Sequence, residues 1–135
     1  MLEVIALLVC AVAVVTDVRG FRIPNELTVL GMIAALVIDP SLAVVPAALL
    51  VLIVFGIPAA FDKIGMGDVK LALGVAMLLR WPLAVPFLLY TALAGGVVAI
   101  VFGVLGRRQM PYALAIAAGC AWAIASAHVP ALRVL

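Results

Sequence analysis

Two aspartates stand where apolar runs meet short polar stretches. Asp17 lies in 16-TDVRGFRIPN-25, just after the run 2–16, and Asp68 in 65-GMGDVKLAL-73, just before the run 69–80. Two carboxyl groups brought together beside hydrocarbon cannot both ionise cheaply, so such a pair holds one proton between them. It can activate a water as base and protonate a leaving amine as acid. A peptide bond suits this chemistry, which needs neither a metal nor a nucleophilic side chain. Gly65 and Gly67 frame Asp68 and can take positive φ, letting an extended substrate approach closely. Plainer readings exist for each part. Asp68 can be only an N-cap, and Asp17 can be a boundary charge paired with Arg19 or Arg22. The combination carries more weight, because acids at a membrane are functional by default.

The elements that position these residues are set by composition. The chain has 135 residues, 70% hydrophobic and 10% charged, with a mean hydropathy of +1.47. A soluble domain is about half apolar and about a quarter charged. There is too little polar surface here to cover a globule in water, so the expected solvent is a lipid bilayer. The expectation is one integral-membrane domain over 1–135, all-α and polytopic, with about six transmembrane helices. Six apolar segments are separable: 2–16, 26–38, 42–61, 69–80, 83–106 and 111–128. Segments 26–38 and 69–80 are short for a span. They extend into neighbouring polar stretches, or the bilayer thins around them, or five spans and a half-helix replace six.

Charge sets the orientation. Loops one, three and five carry Arg19, Arg22, Lys63, Lys70, Arg107 and Arg108, against Arg80 and Arg133 on the other side. Six basic residues against two place the odd loops in the cytoplasm and both termini outside. Asp17 and Asp68 then share the cytoplasmic membrane face. Trp81 fits an interfacial anchor opposite. A net charge of +2, without aromatic and basic residues interleaved, argues against nucleic-acid binding. Cys10 and Cys120 form no CxxC, and His128 stands alone near a helix end, so neither a metal site nor a disulfide scaffold is expected. The start Met1-Leu2-Glu3 has no basic region and reads as a retained helix rather than a signal peptide. Pro46, Pro58 and Pro86 lie in or near spans as kink sites. Gly95 with Ala99 and Gly103 makes a ridge for close helix approach.

Three ordered blocks, 17-DVRGFRIPNELT-28, 65-GMGDVKLAL-73 and 111-PYALAIAAG-119, resemble the type IV prepilin peptidases, membrane aspartic proteases of the GxGD class. The resemblance implies an aspartic-type endopeptidase with Asp17 and Asp68 as catalytic pair and no cofactor. Its substrate would be a prepilin or pilin-like membrane protein whose basic leader is cut after a glycine at the cytoplasmic face of the inner membrane. The length is similar to the small members associated with tight-adherence, or Flp-type, pili. Larger relatives carry an N-terminal region with paired cysteines, and many methylate the new N-terminus. With no such region and no CxxC here, N-methyltransferase activity is not expected.

Other polar residues take supporting roles. Lys70, Pro24 and Asn25 are candidates for binding substrate or shaping the loops, with Lys70 equally readable as a snorkelling lysine. Asn25 is expected to cap the second helix, with Pro24 turning the chain into it. Pro111 suits the first turn of the last helix, and Tyr112 fits a site-lining or interfacial tyrosine. Arg19 and Arg22 read as topology determinants, while Asp62 or Glu26 could attract a basic leader. The main alternative is a non-enzymatic membrane scaffold or transporter subunit in which the aspartates pair with basic residues. A presenilin-like protease is disfavoured, because Asp17 follows a threonine rather than a tyrosine.

Overall fold

The computed structural model describes residues 1–20, 23–61, 64–106 and 111–129. Their apolar runs form six helices: α1 Leu2–Gly20, α2 Asn25–Ile38, α3 Val44–Ala60, α4 Met66–Leu79, α5 Ala84–Val104 and α6 Tyr112–His128. No strand occurs among the described residues. Helix ends follow local chemistry. Asp39-Pro40 halts α2, since a residue before proline is pushed to extended backbone. α5 runs out at Leu105, and Gly106 takes φ +66°, the left-handed turn that glycine makes without a side-chain clash.

The helices alternate in direction. At one end, the last turn of α1 meets the start of α6 through Asp17, and the start of α2 meets the start of α4. At the other end, His128 closing α6 sits 2.7 Å from Glu3 opening α1. There Arg80, just past α4, pairs with Asp39 and donates to the Ala35 carbonyl at 3.2 Å, joining the ends of α4 and α2. The end of α1 and the starts of α2, α4 and α6 therefore lie at one end of the bundle.

α4 is the central element and the one helix that packs against all five others. Val69, Leu71, Ala72, Gly74, Val75, Ala76, Leu78 and Leu79 are buried along it. Much of the remaining interior is alanine, including Ala6, Ala13, Ala35, Ala47, Ala113 and Ala123. Many large apolar side chains point outward instead, among them Leu8, Leu30, Ile53, Leu93 and Ile100. Small residues inside let backbones approach closely, and the large apolar residues outside leave an extended apolar surface. The tightest packing at any glycine joins α5 to α6 at Thr91 and Gly119. A Cβ on Gly119 would lie 2.7 Å from the Thr91 nitrogen and 2.9 Å from the Phe87 oxygen, with Thr91 Oγ1 nearer still.

Six helices match the expected number, but individual lengths qualify the expected spans. Among the described residues, α5, with 21 residues, is the one helix long and apolar enough to cross a membrane by itself. α2, α3 and α6 are apolar but shorter. α1 has 19 residues and carries Glu3, Asp17 and Arg19 within them. The short segment 69–80 does extend into its polar neighbour, since α4 starts at Met66 within the glycine stretch.

Candidate active site

The candidate site lies where the end of α1 meets the starts of α4 and α6. Asp17 sits in the last turn of α1 and is only 7% exposed although its neighbours Val18 and Arg19 are exposed. Its carboxylate Oδ2 accepts a hydrogen bond of 3.2 Å from the backbone N–H of Ala113. That N–H is among the donors a helix start leaves without an internal partner. Helix α6 therefore points the positive end of its dipole at Asp17. Asp17 makes no ion pair among the described residues, so Arg19 is not its partner; Arg22 lies outside them.

Asp68 stands in the first turn of α4, but it does not cap the helix. Gly65 occupies the N-cap position, with φ −66° and ψ 141°, and makes no side-chain cap bond. The Asp68 N–H donates to the Gly65 carbonyl at 3.1 Å. Its carboxylate folds back over Gly65, where an added Cβ would lie 3.2 Å from Oδ2. Neither glycine of the motif uses the positive φ open to it: Gly65 is extended, Gly67 is helical, and Gly106 is the one described glycine with positive φ. Gly65 is small because its own helix's aspartate lies across it. At Gly67 a Cβ would meet only Ile23, at 3.7 Å, an ordinary contact, so packing does not demand glycine there.

The two carboxyls, both outside the apolar runs 2–16 and 69–80, are close enough for their charges to interact. Burial, and then the charge of Asp17, push the Asp68 carboxyl up to about 6. Burial also raises Asp17, while the Ala113 N–H opposes that rise by favouring the charged form. The partners are therefore unequal: Asp17 has a donor that holds its anion, and Asp68 faces that anion.

The supporting residues assemble differently from expectation. Asn25 does not cap α2; Pro24 occupies that position and Asn25 is the first helical residue. The Asn25 side chain instead accepts a 3.0 Å hydrogen bond from Lys70 Nζ, tying the start of α2 to the start of α4. Ile23 lies over Gly67 beside this tie. Pro111 precedes α6 as its N-cap rather than lying in its first turn. Tyr112 meets Phe55 of α3 edge-on, with centroids 6.1 Å apart. Lys63, Asp62, Arg107 and Arg108 lie outside the described residues. Among the described residues, no three His, Cys, Asp or Glu side chains gather to hold a metal ion. Cys10 and Cys120 face each other as free, buried thiols between α1 and α6.

Sequence reasoning missed the Ala113 amide. A signal for it existed: Pro111 starts a helix at the end of the bundle where Asp17 lies, and helix starts present unpaired donors.

The fold and this site define a class: among the described residues, an all-helical bundle with a largely apolar surface and two carboxyls at one end. The sequence profile of the type IV leader peptidase family matches residues 4–100, and the chain belongs to that family. Both aspartate blocks fall within the match, while the block 111–119 lies beyond it. No curated protein and no solved structure matches the chain significantly.

Proposed function

We propose that this chain is a multi-pass aspartic endopeptidase of the inner membrane, a single domain over 1–135. It removes the basic leader of a type IV, Flp-like prepilin by cutting after a glycine at the cytoplasmic face. The observation that carries the reading is the meeting of Asp17 and Asp68 at one end of the bundle with interacting charges, in a chain of a leader peptidase family. The bias of basic residues toward that end supports a cytoplasmic location. The outward-facing Leu, Ile and Val side chains support a lipid surround for the whole bundle.

The inequality of the pair gives each carboxyl a role. Asp17, whose anion the Ala113 N–H supports, takes a proton from the water that attacks the scissile carbonyl. Asp68, the more readily protonated partner, gives its proton to the leaving amine. Asp17 ends protonated and Asp68 ionised, and one proton passed back through solvent resets the pair. The apolar helix of the substrate enters the bilayer beside the enzyme and sets the height of the cut.

Co-expression with a candidate prepilin, followed by size analysis and N-terminal sequencing, tests this. Asp17→Asn and Asp68→Asn each keep side-chain shape, lose the titrating carboxyl and abolish cleavage while the protein still inserts. Complete processing by either variant overturns the pair. If both variants retain biological function and no precursor accumulates, the non-enzymatic scaffold or transporter reading holds instead.

A further inference from the structure

The start of α6 is held by its first side chain. Tyr112 leaves Asp17 to the next residue, Ala113, and packs its own ring against α3 and α5. There the ring lies edge-on to Phe55 at 79° and fills a notch on α5. The floor of the notch is Gly95, a buried glycine well inside α5. A Cβ at Gly95 would lie 2.8 Å from the Tyr112 hydroxyl oxygen and 3.1 Å from its Cζ. At Gly96 and Gly103, on the same helix, an added Cβ would meet nothing within 4 Å. Of the glycines near the expected small-residue ridge, Gly95 alone is matched to a side chain.

We propose that Tyr112, seated on Gly95, is a positioning residue for Asp17: its ring sets the height of the α6 start, and so the Ala113 amide that holds the carboxylate. The Ala113–Asp17 bond of 3.2 Å stands at the long edge of N–H···O geometry. A methyl group at Gly95 pushes the ring by about half an ångström, and where that push is carried into the backbone of Tyr112 rather than absorbed by swinging the ring, it moves the adjacent amide out of range. Asp17 then loses the donor that fixes its direction and favours its anion. The substrate need touch neither Tyr112 nor Gly95 for this to act. Its catalytic consequence rests on the peptidase reading; its structural half does not.

The test uses the full chain in micelles and a prepilin-like peptide with a basic leader, a glycine at the junction and an apolar run. Gly95→Ala lowers kcat about tenfold with KM within about twofold, since a misplacement of ~1 Å costs on the order of a hundredfold. Gly96→Ala, equally a new methyl on α5, leaves both unchanged. Adding Tyr112→Phe to Gly95→Ala removes the nearest atom and recovers kcat to within about threefold of the parent, as coupled residues do. A Tyr112 hydroxyl that acts directly on substrate gives the opposite result, with the double variant no better than Tyr112→Phe alone. Either that outcome or an undiminished kcat in Gly95→Ala overturns the proposal.

Amide exchange at Ala113, followed by NMR, separates the two readings. Exchange quickens in Gly95→Ala and slows again in the double variant. If the parent fails to cleave the peptide but exchange behaves in this way, peptidase action on that probe fails while the positioning device stands. Exchange at Ala113 that ignores Gly95→Ala sinks the device whatever the activity.

Discussion

Gly119→Ala should be the most damaging alanine substitution at a glycine of this chain. Among the glycines of this chain, Gly119 is the one packed most tightly against a neighbouring helix, and two of the three nearest atoms in the way are backbone. A Cβ there would stand 2.7 Å from the Thr91 nitrogen and 2.9 Å from the Phe87 oxygen. Neither atom can rotate aside, so the two helices must part by roughly half an ångström or more to restore ordinary contact. Overpacking of this kind costs about 1–3 kcal/mol, and a clash with main-chain atoms belongs at the upper end, about 3 kcal/mol. Helix propensity works the other way by up to about 1 kcal/mol, since alanine favours helix over glycine. A net loss of about 2 kcal/mol follows. Reversible unfolding in mixed detergent micelles, followed by far-UV circular dichroism, measures it. Gly56→Ala is the reference, because a Cβ there meets nothing within 4 Å. Adding Thr91→Ala removes the Thr91 hydroxyl but neither backbone atom, so the double variant recovers only a minor part of the loss. A Gly119→Ala protein within about 0.5 kcal/mol of its parent, or full rescue by Thr91→Ala, refutes the backbone-contact argument.

Three further outcomes are expected. Gly65→Ala forces the Asp68 carboxylate, 3.2 Å from the new methyl, to shift by a few tenths of an ångström; cleavage slows about fourfold with stability lowered by no more than ~1 kcal/mol, and an unchanged kcat contradicts it. Asp68 has its pKa raised from an ordinary 3.8 to about 6, so it binds its proton more tightly when folded. Stability therefore falls as pH climbs from about 4 to about 6 and is level above. Asp68→Asn escapes that loss and gains about 1–2 kcal/mol over the parent at pH 8, after discounting for solvent screening. It gains nothing near pH 4, and an offset that ignores pH in unfolding measurements argues against the interaction. Lys70→Met and Asn25→Ala, which break the same 3.0 Å bond, each cost less than about 1 kcal/mol because the bond is exposed. Their effects are non-additive by about 0.5 kcal/mol in a double-mutant cycle, and strict additivity dismisses the tie.

The sequence by itself determined the helical class, the six segments and the end of the bundle at which the aspartates lie. Continuous apolar runs admit little but helix, and alternating short connections leave odd and even loops at opposite ends. Asp17 and Asp68 were legible because charges are conspicuous in such a background. Contacts between side chains and the surfaces of other helices were not. Gly65 and Gly67 look alike in the motif, yet one lies under the Asp68 carboxylate and the other against Ile23. Asn25 has the residue type of a cap, but Lys70, 45 positions away, takes its oxygen. Gly95 and Gly96 are indistinguishable on the page, and only packing puts Tyr112 over the first. The inequality of the two aspartates also came from tertiary structure. It depends on a backbone amide, a group every residue but proline carries, and only the fold decides which one meets Asp17.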